Sequence, residues 1–193
     1  MITDRIAKAL ALAVEAHHGQ SRKGTKIPYV SHPMAVASIA LEYGADEDQA
    51  IAALLHDVIE DGGEKYIQII EAQFGRRVLE LVQGCTDGVP DKNGIKPVAW
   101  KQRKEAYIAH LKEVSDDVLL VSGSDKLHNA RAILHDLQTI GTSVFDRFKA
   151  GKEETLWYYS SLSEVFVSRK APMADALRVA IKSMHVLSGS LCG

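Results

Sequence analysis

An all-α fold is what this sequence predicts, on three observations. Apolar residues recur at the i, i+3, i+4 spacing of amphipathic helices along nearly the whole chain. Glycines and prolines fall between those stretches, where helix ends need them. No stretch alternates apolar and polar residues long enough to propose a sheet.

Ile6, Ala9, Leu10, Ala13 and Val14 share one helical face, with Thr3 or Asp4 placed to cap it. A basic loop from Gly19 to Pro28 follows. Pro33 then fits the first turn of a second helix and Gly44 its far end. Asp46, Glu47 and Asp48 sit where a third helix begins, favourable to its dipole. That helix is expected to run through the apolar residues 50–55 into His56, Asp57, Glu60 and Asp61, until Gly62 and Gly63 stop it. Two shorter helices flank Gly75. Gly84, Gly88, Gly94, Pro90 and Pro97 mark a loop over 84–97. Helical pattern resumes near Val98 and runs to about Val114. Ser115, Asp116 or Asp117 caps a long helix reaching Leu137 and ended by Gly141, and two last helices cover 153–167 and 172–187. Without repeats, low-complexity segments or a long linker, 1–193 reads as one domain.

The composition agrees. The chain has 193 residues, 46% hydrophobic and 25% charged, so apolar surface is ample to offset chain entropy and general disorder is excluded. Its 23 basic and 25 acidic residues leave a net charge of −2, far from the basic balance of a protein that holds nucleic acid over its whole surface. Binding must happen at a site. Cys85 and Cys192 are too few for a disulfide scaffold, and Cys192 lacks a prenylation frame. The first residues lack a signal-peptide pattern and no apolar run is long enough to cross a bilayer. A soluble, cytoplasmic protein that binds no membrane is the expectation, and a homo-oligomer is compatible with it.

The chemistry concentrates at His32, His56-Asp57, Glu60-Asp61 and Asp125. Taken singly, each suits a cap or a core residue. The second and third places are different, because 56–61 follows directly on an apolar run. On a continuous helix His56 and Glu60, and Asp57 and Asp61, are i, i+4 pairs, so all four share one broad face. Three carboxylates and an imidazole crowded there repel unless a cation neutralises them. Imidazole and carboxylate without thiolate point to Mn²⁺, Fe²⁺, Mg²⁺ or a catalytic Zn²⁺. Such a metal polarises a phosphoryl oxygen and activates water, and a carboxylate outside the ligand set orients or deprotonates that water.

His32, His56-Asp57 and Asp125 resemble the H…HD…D signature of the HD-domain metal-dependent phosphohydrolases. More narrowly, Arg22-Lys23, the block 29–33, the block 53–61 and the block 125–131 resemble the hydrolase domain of RelA/SpoT-type proteins. The chain ends soon after that region, so it is similar to the stand-alone small alarmone hydrolases, a group that includes the metazoan SpoT homologue. The resemblance covers 22–131 as a motif core, with the helices of 153–187 compatible in length. It implies a helical bundle of roughly eight to ten helices.

It also implies roles. His32, His56, Asp57 and Asp125 match the family's Mn²⁺ ligands, and another divalent metal is compatible. Glu60 and Asp61 match the pair that acts on the water attacking the 3′-pyrophosphate of ppGpp or pppGpp, releasing GDP or GTP and pyrophosphate. Arg22, Lys23 and Asn129 match residues lining the nucleotide site. The implied partner is a small nucleotide and not nucleic acid. Two other readings share these ligands: a phosphohydrolase of another nucleotide, such as the 2′-phosphate of NADPH, and a nucleotide sensor without turnover. The chain departs from the family at Gly62-Gly63, where threonine is common, and in the more polar 121–124 before Asp125.

Other residues read more plainly. Lys101, Arg103 and Lys104 could meet a distal phosphate but better suit a solvated helix face, and Trp157, Tyr158 and Tyr159 could supply a base-stacking ring but better suit the core. His128 supports or packs against the ligands. His17, His18, His110, His135 and His185 suit the surface or a satisfied core, and Cys85 is expected to be inert.

Overall fold

Ten α-helices and one 3₁₀ turn make up a computed structural model that describes residues 2–87 and 98–189. The proposed loop markers Gly88, Pro90, Gly94 and Pro97, and Cys192, lie outside the described residues. The helices are α1 (Arg5–Ala16), α2 (Ser31–Glu42), α3 (Glu47–Leu55), α4 (Val58–Gly62), α5 (Lys65–Phe74), α6 (Arg76–Cys85), α7 (Trp100–Leu111), α8 (Asp116–Ile140), α9 (Gly151–Ser168) and α10 (Ala174–Leu187). Among the described residues extended pairing is limited to one isolated antiparallel bridge between Ser21 and Pro28. The all-α expectation holds.

Local chemistry accounts for several boundaries. Asp46 and Gln49 form a reciprocal capping box at the start of α3, at 2.8 and 2.9 Å. Ser115 caps α8 through the Val118 N–H. Gly141 ends α8 at φ +64°, a left-handed conformation that favours glycine. The 3₁₀ turn over Gly141–Arg147 had no distinct sequence signal.

The expected single helix through 50–61 is instead two. It breaks at His56-Asp57, and α4 starts afresh with the Asp61 N–H bonded to the Asp57 carbonyl. The Ala53 carbonyl, which a continuous helix would offer to the Asp57 N–H, takes the His56 ring nitrogen at 2.8 Å. Gly84 is a second correction. It lies inside α6, not in a loop, and a Cβ there would fall 2.8 Å from the Val118 methyls, so glycine lets α6 and α8 approach.

The core lies in two clusters on either side of α8. One is built mainly from α1 to α6 with Val118 and Val121; the other from α7 to α10 with Leu119, Leu127 and Ile133. For two turns, 118–125, α8 is buried all round. This explains its small polar residues. A Cβ on Gly123 would meet Met173 Sδ at 2.4 Å and Phe166 at 3.0 Å, so close packing offsets the roughly 1 kcal/mol that glycine costs in helix propensity. Ser122 bonds Tyr107 and Ser124 bonds the Leu120 carbonyl.

Arg169, just past α9, ties the turn between α7 and α8. Its guanidinium donates to the carbonyls of Leu111, Lys112 and Val114 and to Asp116, at 2.8–3.1 Å. Replacing Arg169 by alanine leaves helix-end carbonyls unmatched, and is expected to cost about 2–3 kcal/mol. Calorimetry should record a melting temperature lower by roughly 5–10 °C for a domain of this size. Lysine at the position should restore only part of that, having no planar fork to reach several acceptors.

Candidate metal centre and nucleotide cavity

The first turn of α2, the α3–α4 break and the middle of α8 meet, and each delivers ligand-type side chains. Nε2 of His32 lies 3.1 Å from Asp125 Oδ1 and 3.5 Å from Asp57 Oδ2. Nε2 of His56 lies 3.0 Å from Asp57 Oδ2 and 3.7 Å from Asp125 Oδ1. His32, His56 and Asp57 each offer a ligand atom within 4.8 Å of the others. His32, His56 and Asp125 are buried.

Hydrogen bonding decides what this cluster wants. Nδ1 of His56 donates to the Ala53 carbonyl, so a neutral ring turns a bare Nε2 lone pair toward two carboxylates. That Nε2 is buried and has no hydrogen-bond partner. Only a proton or a cation relieves the repulsion. Burial opposes charge on His56, yet Asp57 and Asp125 outweigh it and hold its pKa well above the usual histidine value. Burial likewise opposes ionisation of both carboxyls. His56 and His32 nevertheless hold Asp57 well below the carboxylate range, and Lys126 with both histidines does the same for Asp125. Two imidazoles and two ionised carboxylates fit a divalent cation.

Outer partners hold these groups. Nδ1 of His32 lies 2.8 Å from Nδ1 of His128. Burial, with His32 and Arg22 nearby, pushes the His128 pKa down to about 4, so it is neutral and can accept the His32 proton, leaving Nε2 of His32 for the cation. Lys126 and Asn129 each donate to Asp125 at 2.5 Å, and Arg22 donates to the Asn129 Oδ1 at 2.8 Å. Both ends of the Asn129 amide are therefore engaged.

A cavity of about 530 Å³ opens over the cluster. Arg22, Lys23, Asn129, His32, Asp57, Glu60 and Asp125 all line it. Asp61 is not in that lining: its Oδ2 lies 3.6 Å from Nδ1 of His17. On one side the wall is supplied by Asp87, Lys104, Lys126 and Tyr159; loop 22–29, the later part of α8 and the 3₁₀ region add Ile27, Ile133, Asp136, Arg147 and Phe148. Cys85 also lines it, its thiol pushed up to about 12 by burial, in keeping with an inert residue.

The solvated-face reading of α7 is corrected. Arg103 pairs with Asp87 at 2.9 Å, and Lys104 pairs with the same carboxylate beneath the Tyr158 ring. The signal was present: Lys104, Tyr107 and Leu111 are i, i+3, i+7, so the lysine falls on the stripe that buries the other two. Lys101 is half exposed and covers the Trp157 ring. Tyr158 and Tyr159 are core residues as expected, though Tyr159 also faces the cavity. His17 continues the buried Ala9–Ala13 stripe of α1 and packs its ring, tilted, against Tyr29, which places it beside the site and not on the surface. His135 lines the cavity, whereas His110 and His185 are satisfied by the Gly84 carbonyl and Ser160.

With this geometry in hand, the class of protein is plain: residues 9–155 match the family model of the HD domain, and the chain belongs to that family. Within it, the chain is 35% identical over 165 residues to the bifunctional (p)ppGpp synthase/hydrolase SpoT of Escherichia coli, covering 82% of this chain and 21% of that protein. It is 37% identical over 133 residues to the guanosine-3′,5′-bis(diphosphate) 3′-pyrophosphohydrolase of Aquifex aeolicus, covering 67% of this chain and 18% of that one. The chain thus spans about a fifth of the length of these curated relatives. Among solved structures, a metazoan ortholog of SpoT described as hydrolysing ppGpp superposes with a TM-score of 0.72 at 25% identity, over 99% of both chains. The protein lmo0812 of Listeria monocytogenes superposes with a TM-score of 0.67 at 28% identity, over 78% of this chain and 96% of that one. Among the described residues no helix is long and apolar enough to cross a membrane.

Proposed function

We propose that this chain is a Mn²⁺-dependent hydrolase of the 3′-pyrophosphate of ppGpp and pppGpp, acting as one domain over 1–193 in the cytoplasm. The observation that carries the reading is the buried Nε2 of His56 facing Asp57 and Asp125, two carboxylates that line a cavity with Lys104 and Lys126. The names of the SpoT-type relatives support the substrate.

His32, His56, Asp57 and Asp125 would hold the metal, which would supply Lewis acidity toward a phosphoryl oxygen and the attacking water. Glu60, which lines the cavity, orients that water and takes its proton, whereas Asp61 lies outside the lining beside His17. The water oxygen forms the new bond to phosphorus, the bond from phosphorus to the ribose O3′ breaks, and O3′ takes up the proton that Glu60 accepted from the water, leaving as the nucleotide hydroxyl. Lys104 and Lys126 lie where they can take up the charge of the departing pyrophosphate. Arg22, Lys23 and Asn129 face the nucleotide. A guanidinium can stack on a base while donating to phosphate.

The test is pyrophosphate release from ppGpp by the purified protein, with and without Mn²⁺, beside a panel that includes pppGpp and NADPH. Equal amounts of GDP and pyrophosphate, formed only with metal, are expected. Phosphate release from NADPH in preference would assign the site to another nucleotide. Tight ppGpp binding without turnover in saturating Mn²⁺ would make the chain a sensor.

A further inference from the structure

We infer that Tyr29 is a positioning residue for the metal centre: its hydroxyl holds Asp57 in the orientation in which that carboxylate takes the cation. This rests on the reading of His32, His56, Asp57 and Asp125 as ligands. The Tyr29 hydroxyl donates to Asp57 Oδ2 at 2.6 Å, the same oxygen that faces both histidine Nε2 atoms. An aspartate has few torsions, and rotation about its last one would turn Oδ2 away from the imidazoles. A short hydrogen bond from a fixed donor stops that rotation.

The donor is fixed. The Tyr29 ring is held between His17, centroids 4.8 Å apart, and His32, edge-on at 5.7 Å. Its own N–H bonds the Gln20 carbonyl, and its carbonyl accepts the His32 N–H, both at 2.9 Å. Gln20 in turn engages the His17 ring at 2.9 Å. A phenol whose backbone and ring are both set has no freedom left to move its oxygen. The other proposed ligands are held in the same manner: His56 by Ala53, His32 by His128, and Asp125 by Lys126 and Asn129. Tyr29 completes the set for Asp57.

The experiment titrates Mn²⁺ calorimetrically into metal-stripped wild type, Tyr29→Phe and His56→Ala. Phenylalanine keeps the ring and its stacking and removes only the hydroxyl. Its affinity for Mn²⁺ should fall about tenfold to a hundredfold, the usual effect of losing an outer partner of a ligand. The melting temperature of the stripped variant should stay with that of the stripped wild type. A loss smaller than tenfold overturns the inference. So does a weakened affinity accompanied by a clear drop in the stripped protein's melting temperature, which would make the hydroxyl a packing element. Should the wild type itself bind no Mn²⁺, the metal-centre reading falls first and the Tyr29 inference with it.

Discussion

Replacing His56 by alanine removes metal binding and lowers hydrolysis by about 10³-fold or more, equivalent to at least about 4 kcal/mol of transition-state stabilisation. The expectation follows from burial and geometry. Nε2 of His56 is within 3.7 Å of both proposed carboxylate ligands, and the Ala53 carbonyl fixes its direction. Alanine also leaves a gap in a fully buried region, so Asp57→Asn is the companion variant. It keeps volume and can still accept from Tyr29, but removes the ionised oxygen that the cation needs. Calorimetric Mn²⁺ titration and pyrophosphate release should fail together in both variants while circular dichroism stays helical. Full activity in either would remove His56-Asp57 from the mechanism.

Metal affinity should rise with pH by about tenfold per unit across the range in which His56 carries a proton in the metal-free protein. The ring is held charged by Asp57 and Asp125 against the opposing effect of burial, and a cation must displace that proton. Titrations at pH 6.5 in two buffers of different ionisation enthalpy should show close to one proton released per ion bound. No release would mean that the ring is already neutral. Stability of the stripped protein moves oppositely at the two ends. A raised histidine contributes fully below its unfolded value of about 6.5, and that contribution is lost as pH rises through the folded value. The depressed carboxyls of Asp57 and Asp125 contribute above about pH 4, and are lost as pH falls through their lower folded values. Between those limits both contributions coexist, so the melting temperature of the stripped protein should be highest there.

Much of the site was legible before any coordinates. His32, His56, Asp57 and Asp125 meet as a cluster, and Arg22, Lys23, Asn129 and Glu60 line one cavity with His32, Asp57 and Asp125. What misled was extrapolating a local period. Helical spacing through 50–61 suggested one face for His56, Asp57, Glu60 and Asp61, whereas the break at His56-Asp57 turns Glu60 to the cavity and leaves Asp61 beside His17. Gly84 looked like a loop residue because glycine lowers helix propensity. Its reason is the Val118 side chain on a helix far along the chain. Charge misled in the same way: Arg103 and Lys104 read as solvated until Asp87 is placed against them.

The sequence by itself determined the helical class, the order of the elements and the residue types of the candidate metal site. Those properties depend on spacing and side-chain chemistry, and spacing is local. Tertiary structure alone decided that α8 is buried all round, that Lys104 and Lys126 share the cavity, and that Tyr29 stands behind Asp57. Each is a contact between residues far apart in the chain, and burial strips water from charges that a sequence can only count. The pKa directions and the charge balance of a buried His56 facing two carboxylates both arise from that desolvation.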